Sequence, residues 1–509
     1  MDYRTNTVFH MMRVRKVKTK SGSTAIQVVR YIGHRVKLEK HIGSAKNDQE
    51  VQVLQTLAAE WIEIHAAQAK LFPEIQQKVL LVDRSECIAV THHFAYQFFT
   101  HCFQECNLDH LPALLIDLAI MRLIEPSSKL QAIHLLARHF GIKYSQRIYQ
   151  TLPKLISHKA DIERQAYKVA EEELHEQFYY VLYDVTTLYF ESFKADDLKV
   201  QGFSKDNKSQ QPQIVIGLLV TQSGFPLSYH VFSGNTFEGK TMLPIVEGFI
   251  ASHPGIKPVV VADAAMLDEE RLSELRSKKI SYIVGARLAN TNTGLVKQVH
   301  AALNAVNGAT VRLQTMHGDL VCDFSMKRYR KELYELNKLI QKAEELVANQ
   351  SSGKKAKFVK RVSKEKVELN TSLIEKRKLL LGVKGYCTDL SENQLPSSEI
   401  IDRYHQLWHV EQSFRMSKFD LEARPIYHQN QDAIRSHVLI CFAALIVEKF
   451  LELKTSLSLR KIRELVWEIT ESHIQDSVTR KVYKFPSPGK QIMNSQLAFL
   501  IKKWELLPH

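Results

Sequence analysis

The feature that most constrains this chain is a succession of apolar, β-branched runs between residues 178 and 286. The first, Phe178-Tyr-Tyr-Val-Leu-Tyr-Asp184-Val-Thr-Thr-Leu-Tyr-Phe190, is apolar on both faces, as a strand inside a sheet must be. Strands are predicted next over 214–221 and 227–232, with Gly224-Phe225-Pro226 supplying the turn between them. A helix over 240–251 follows, then a strand through Lys257-Pro-Val-Val-Val-Ala-Asp263-Ala-Ala-Met266. A helix over 268–278 and a strand over 282–286 close the series. Such alternation of strands and helices requires a sheet covered by helices.

Two of these strands carry an aspartate. A carboxylate in an apolar strand is costly unless it is paired, hydrogen-bonded or bound to a cation. Each of Asp184 and Asp263 alone reads equally as a satisfied buried acid or as a metal ligand. A third acid stands in Tyr404-His-Gln-Leu407-Trp408-His-Val-Glu411-Gln-Ser-Phe414-Arg415-Met-Ser-Lys418. Tyr404, Glu411 and Lys418 fall at i, i+7 and i+14, one stripe of a regular helix, with Trp408 and Phe414 on its flanks. An acid between a phenol and an ammonium suits a metal ion beside phosphate oxygens. The plainer alternative is that Lys418 snorkels to solvent and Tyr404 packs in the core.

The order strand, strand, strand, helix, strand, helix, strand is that of a ribonuclease-H-like α/β domain, a mixed sheet with flanking helices. Its carboxylates stand on the first and fourth strands, and a late helix supplies the third. With these residues in place the chain resembles the DDE transposases of bacterial insertion sequences, and within them the insertion-sequence-four-like group. That group's third motif is Tyr-x2-Arg-x3-Glu-x6-Lys. Tyr404, Glu411 and Lys418 match it; Leu407 stands where the motif has arginine, and Arg403 or Arg415 is the substitute at hand. Gly202-Phe-Ser-Lys205-Asp206, Ile216-Gly-Leu, Gly234-Asn235-Thr, Lys240-Thr241 and Arg424-Pro425-Ile-Tyr-His428 are also similar to the family. The resemblance runs from about 180 to 437 and is least over the middle insert.

The resemblance implies that Asp184, Asp263 and Glu411 are the catalytic acids and hold two metal ions. Hard oxygen donors favour Mg²⁺ or Mn²⁺. It implies hydrolysis at the ends of a mobile element, then joining of the 3′-hydroxyl ends to target DNA. Tyr404 and Lys418, with Arg415 and Trp408, are the expected DNA and phosphate contacts. The implied partner is double-stranded DNA, both element ends and target, gripped by a homodimer in a synaptic complex. The implied location is the bacterial cytoplasm, on DNA. A ribonuclease-H-like nuclease without strand transfer, and an inactive DNA-binding relic, are the alternatives.

Composition agrees with a polyanionic partner: 69 Lys and Arg against 55 Asp and Glu give a formal net charge of +14. No run of about 18 apolar residues suggests a membrane span. Six cysteines in 509 residues do not make a disulfide framework. Cys102 and Cys106, near His92, His93 and His101, sit in an aromatic helix-like stretch and read as core rather than zinc ligands.

Six regions are expected. Residues 1–45 are β-rich and basic, with strands over 24–32 and 35–42 about a Gly33-His34 turn. Residues 46–176 are helical, with helices over 111–123 and 127–140, Pro126-Ser127-Ser128 as a start and Gly141 as a stop. Lys129, Arg138, Lys143 and Arg147 make this helical stretch either a DNA-end-binding domain or an ordinary bundle with a basic face. Residues 177–286 and 384–437 are the two parts of the core. Residues 287–383 form an insert, with a hairpin over 310–325 turning at His317-Gly318-Asp319. Two charged helices follow over 326–348 and 362–381, joined by the basic linker 351–357. Lys354, Lys355, Lys357, Lys360 and Arg361 are candidate phosphate contacts there. Residues 438–509 are expected to be helical, capping the core or mediating synapsis.

Overall fold

The computed structural model describes residues 12–32, 35–65, 85–145, 147–191, 194–202, 210–264, 269–316, 318–349, 357–362, 367–477 and 480–506. The Gly33-His34 turn, Met266, Asp268, His317, Lys354, Lys355 and most of the Gly202–Asp206 phrase lie outside them. Chain packing divides the molecule into two compact units, Met1–Thr91 with Thr470–Pro488, and His92–Ile469 with Gly489–His509. That division falls inside the stretch expected to be one helical region. Among the described residues, no helix is long and apolar enough to cross a membrane.

In the first unit, β1 (Met12–Lys18), β2 (Thr24–Ile32) and β3 (Arg35–Ala45) form an antiparallel sheet. The helix α1 (Asp48–His65) covers one face, packing Leu54, Trp61 and Ile62 around Ile26 and Val28. A second small sheet joins β4 (Ser85–Thr91) to the strands Glu471–Asp476 and Val482–Pro486. These last two correct the expectation of an all-helical C-terminal region. Their alternation is weak, and it is antiparallel pairing with β4, far away in the sequence, that fixes them as strands.

The second unit begins with helices α2 (His93–Glu105), α3 (Ala113–Ile124), α4 (Lys129–Phe140), the short α5 (Ile148–Thr151) and α6 (Lys159–Lys168). The boundaries read for α4 hold for a local reason. Ser128 Oγ accepts from Gln131 N at 3.2 Å, and Gly141 closes the helix in the left-handed region at φ 73°. Cys102 on α2 and Cys106 just past its end are fully buried in the core with Phe98, Phe99 and Phe103, where burial pushes both thiols up.

The sheet of this unit is built from β5 (Tyr180–Tyr189), β6 (Gln213–Val220), β7 (Pro226–Ser233), β8 (Val259–Ala262) and β9 (Tyr282–Gly285). Helices α7 (Met242–Ser252) and α8 (Glu269–Ser277) make the crossovers to β8 and β9, as parallel neighbours require. All eight residues of β6 are buried, which its unbroken apolar run demands. Strand alternation then sorts β5. Tyr183 faces α7 and donates to Thr241 Oγ1 at 2.8 Å, while Asp184, Thr186 and Leu188 point to the opposite face.

After the helix α9 (Thr293–Leu303), the hairpin β10 (Thr310–Thr315) and β11 (Gly318–Phe324) does not stand apart as an insert. It extends the main sheet through β14 (Val383–Thr388), giving eight strands in the order β10-β11-β14-β9-β8-β5-β6-β7. The expected pair of charged helices is also corrected. The helix α10 (Met326–Ala348) forms, but β12 (Val359–Arg361) and β13 (Val367–Leu369) pair as a small ladder. The helix α11 (Thr371–Leu379) starts only where Asn370 Oδ1 accepts from Leu373 N at 3.1 Å. Leu336 and Ala343 of α10 bury Phe358 and Ile374 in an apolar seam, and Arg328 of α10 pairs with Asp323 of β11 at 3.1 Å.

The chain then forms α12 (Ser397–His405), α13 (Trp408–Arg415), α14 (Gln431–Thr455) and α15 (Leu459–Trp467). Every residue from 436 to 451 of α14 is buried, so this helix is an axis of the core and not a free surface for pairing molecules.

A candidate active site on one face of the main sheet

The three acids come from three elements. Asp184 sits mid-strand on β5, Asp263 immediately past the end of β8, and Glu411 on the first turns of α13. All three line one cavity of about 670 Å³, together with Lys384, Tyr404, His405, Leu407, Trp408, Arg415, Lys418, Phe419 and Arg424. Asp184 is half-buried, whereas Asp263 and Glu411 are exposed.

Each aspartate is oriented by the backbone. Asp184 Oδ1 accepts from Val185 N, and Asp263 Oδ1 from Ala264 N, both at 2.7 Å. Tyr404 also donates its hydroxyl to Asp263 Oδ1 at 2.8 Å. Burial, with the Asp263 carboxylate beside it, pushes the Tyr404 phenol above its ordinary value, so it stays a donor. Gly285 makes room for this contact. A Cβ at that position would lie 2.5 Å from Tyr404 Oη and 2.9 Å from Ala264 Cβ. Tyr404 is thus a buried positioning group for Asp263 and a wall of the cavity at once.

The single helical stripe expected for Tyr404, Glu411 and Lys418 is not what forms. The segment breaks between α12 and α13 at Gln406 and Leu407, whose ψ angles of −10° and −22° are shallower than a regular helix. The amides of 406, 407, 409 and 410 bond three residues back, the tighter 3₁₀ pattern. Beyond α13 the winding opens into a π-turn over Met416–Asp420, which carries Lys418. All three side chains still reach the cavity, but through a joint and a bulge rather than a straight face. Leu407, where an arginine was expected, occupies the joint and is nearly buried. Of the two substitutes, Arg415 lines the cavity. Arg403 instead donates to Gln222 Oε1 at 2.6 Å and lies over the Tyr180 ring at 4.6 Å.

The sequence model of the family described as transposase DDE domain matches residues 179–447, more than half of the chain. The chain belongs to that family. Among solved structures, a cryo-EM synaptic complex of piggyBac transposase with hairpin DNA is similar at 11% identity and a TM-score of 0.37, over 80% of this chain and 74% of that one. No curated protein matches the sequence.

In this transposase, the end of the α13 segment is held by donors from distant helices that the sequence reading missed. Arg463 Nη2 donates to the Asp420 carbonyl at 2.6 Å, and Arg122 Nη1 to those of Leu421 and Glu422 at 3.3 and 3.2 Å. His437 Nε2–H donates to the Ala423 carbonyl at 2.9 Å. Four successive carbonyls at a helix end therefore meet donors from α3, α14 and α15, two of them guanidinium groups. Lys129 donates to His437 Nδ1, and burial beside Lys129 and Arg122 holds the imidazole well below its ordinary range. This clamp sets the chain direction just before Arg424, which returns to the cavity.

The reading from sequence also missed Lys384, His405, Phe419 and Arg424 as cavity residues. A lysine in the apolar run of β14 is the same signal that marked Asp184. Arg424 belongs to a phrase noted only for its likeness to the family.

A divalent ion can be judged against the donors present. The carboxylates are hard oxygen donors, and the cavity lining contains no thiol. Asp263 Oδ2 has no partner among the described residues. Among those residues, no three His, Cys, Asp or Glu side chains close around one point. The donor chemistry of the lining, carboxylate oxygens without thiols, suits a hard divalent ion.

Proposed function

We propose that this transposase is a metal-dependent enzyme of the insertion-sequence-four-like group with a ribonuclease-H-like core. In this reading it binds the ends of its element, cleaves phosphodiester bonds there and joins the 3′-hydroxyl ends to target DNA. The observation that carries it is the convergence of Asp184, Asp263 and Glu411 on one cavity that also holds cations. The strand order β14-β9-β8-β5-β6-β7, with the first two acids on adjacent parallel strands, supports the fold assignment.

Asp184, Asp263 and Glu411 would hold two Mg²⁺ or Mn²⁺ ions. Bound there, such ions supply activation of water or a 3′-hydroxyl and neutralisation of the leaving oxygen. The chain's own residues do the rest. Tyr404 fixes the Asp263 carboxylate, while Arg415 and Lys418 hold phosphate oxygens as DNA lies against Trp408. Residues 1–45 and 46–176 recognise the element ends. Two copies of the chain hold two ends together, on DNA in the bacterial cytoplasm.

The test uses the DNA that flanks the coding sequence. Purified protein is given pre-cleaved duplex ends, a supercoiled target plasmid and Mg²⁺, and joined products are sequenced. Joined ends are expected. Cleavage without joining, with wild-type ends and metal, would replace this reading with the nuclease alternative.

A further inference from the structure

Lys384 lies on β14, paired with Asp323 of β11 in a strand bonded on both sides, so its backbone is fixed. Its side chain enters the acid cavity. Three carboxylates line that space, yet Lys384 forms no ion pair and donates no hydrogen bond among the described residues. Its ammonium instead rests over aromatic faces, 4.6 Å from the Tyr404 ring centroid and 5.8 Å from that of Tyr386. Ring faces attract a cation but accept none of its three protons in the way an oxygen would. The charge is held in place with its donors unspent.

The other cations of the cavity are placed differently. Arg415 is exposed on α13, and Lys418 rides the π-turn. Position 407 is apolar. Lys384 is carried instead by a strand of the main sheet, with Asp323 of β11 as its cross-strand partner. Burial lowers its pKa, with Arg328 adding to the effect, while Asp263, Asp323 and Glu411 act in the other direction.

We propose that Lys384 is a phosphate-binding residue of this cavity, its ammonium gripping a non-bridging oxygen of a DNA phosphodiester beside the acids. This rests on the reading of the cavity as a DNA-processing site. It adds a contact from the sheet to those expected from the α13 segment, so the backbone would be held from two walls.

Counterion release makes the contact countable, since each phosphate neutralised steepens the dependence of log K on log salt by about 0.9 for duplex DNA. Binding of a fluorescein-labelled duplex containing one flanking end is followed by anisotropy from 50 to 300 mM NaCl with Ca²⁺ present. Lys384→Gln is expected to flatten the slope by about 0.9, and Lys384→Arg to keep it. Equal slopes for wild type and Lys384→Gln, with unchanged melting temperatures, would overturn the assignment while leaving the transposase reading intact. No duplex binding by the wild type would remove both. Should Lys384→Gln fail to fold, lysine acetylation read by mass spectrometry on the wild type decides. Duplex DNA is expected to slow modification of Lys384 several-fold, and an unchanged rate refutes the contact.

Discussion

Two charged regions lie within a few residues of each other on the α13 segment, and they are built on opposite terms. In the acid cavity, Asp263, Glu411 and Arg415 are open to solvent, and Lys384 rests on ring faces. In the clamp behind it, Arg122, Lys129 and His437 are buried, and Arg122 and His437 are matched to backbone carbonyls or to each other's neighbours. A buried charge with its hydrogen bonds satisfied serves the fold; a fixed charge left short of partners at a cavity serves a ligand.

The comparison breaks most sharply at the acids. Asp184→Asn, Asp263→Asn and Glu411→Gln are each expected to reduce Mg²⁺-dependent cleavage of element ends to background. Duplex binding and melting temperature should hold within error. Chelation should do the same to the wild type, with Mg²⁺ or Mn²⁺ restoring cleavage. Full activity in any one variant would remove that residue from the mechanism.

The clamp should answer in the other currency. Arg122→Met leaves the Leu421 and Glu422 carbonyls without their donor, a loss of about 1–3 kcal/mol for a buried acceptor left unsatisfied. Urea unfolding should show it as a lowered midpoint. A variant as stable as wild type would mean that these carbonyls find other donors.

Gly285→Ala probes the seam between the two regions. The new methyl would collide with Tyr404 Oη and displace it from Asp263. A shift of about 1 Å at a reacting group costs on the order of 10²-fold in rate. Cleavage should fall by roughly that factor. Tyr404→Phe, which removes the hydroxyl without the clash, should lose less. Equal losses would show that the hydroxyl and not the spacing matters.

The smallest effect concerns Glu448, buried on α14 with neither carboxylate oxygen hydrogen-bonded among the described residues. Burial, with Asp420 beside it, raises its pKa well above the ordinary carboxyl value. A raised carboxyl is protonated in the fold, so its contribution is intact below the unfolded pKa and is lost as pH climbs towards the folded one. Glu448→Gln should therefore raise the melting temperature at pH 8 more than at pH 5. A gap that does not grow with pH would place a partner on Glu448.

Much of the fold was legible because it is written in short-range pattern. The apolar runs of β5, β6 and β8 follow from period and composition, and α4 from a serine cap and a left-handed glycine. Asp184 and Asp263 were legible as candidates, since a carboxylate in or at the end of such a run needs a reason to be there. Regular geometry misled at 404–418, where helical arithmetic assumed an unbroken helix and the chain made a tight joint and a π-turn. It misled again at 362–381, where charge spacing resembled a helix but Phe358 and Ile374 found an apolar seam.

The sequence by itself determined the strands β5 to β9, their succession along the chain and the three carboxylates that they and the α13 segment carry. Only the tertiary structure decided that the 310–324 hairpin would widen the same sheet, and that residues 471–486 would become strands against β4. It alone brought Lys384 to the acids and Arg122, His437 and Arg463 to four carbonyls. The physical reason is range. Side-chain period and capping act within a few residues, whereas a charge takes its role from partners that the folded chain delivers from hundreds of residues away.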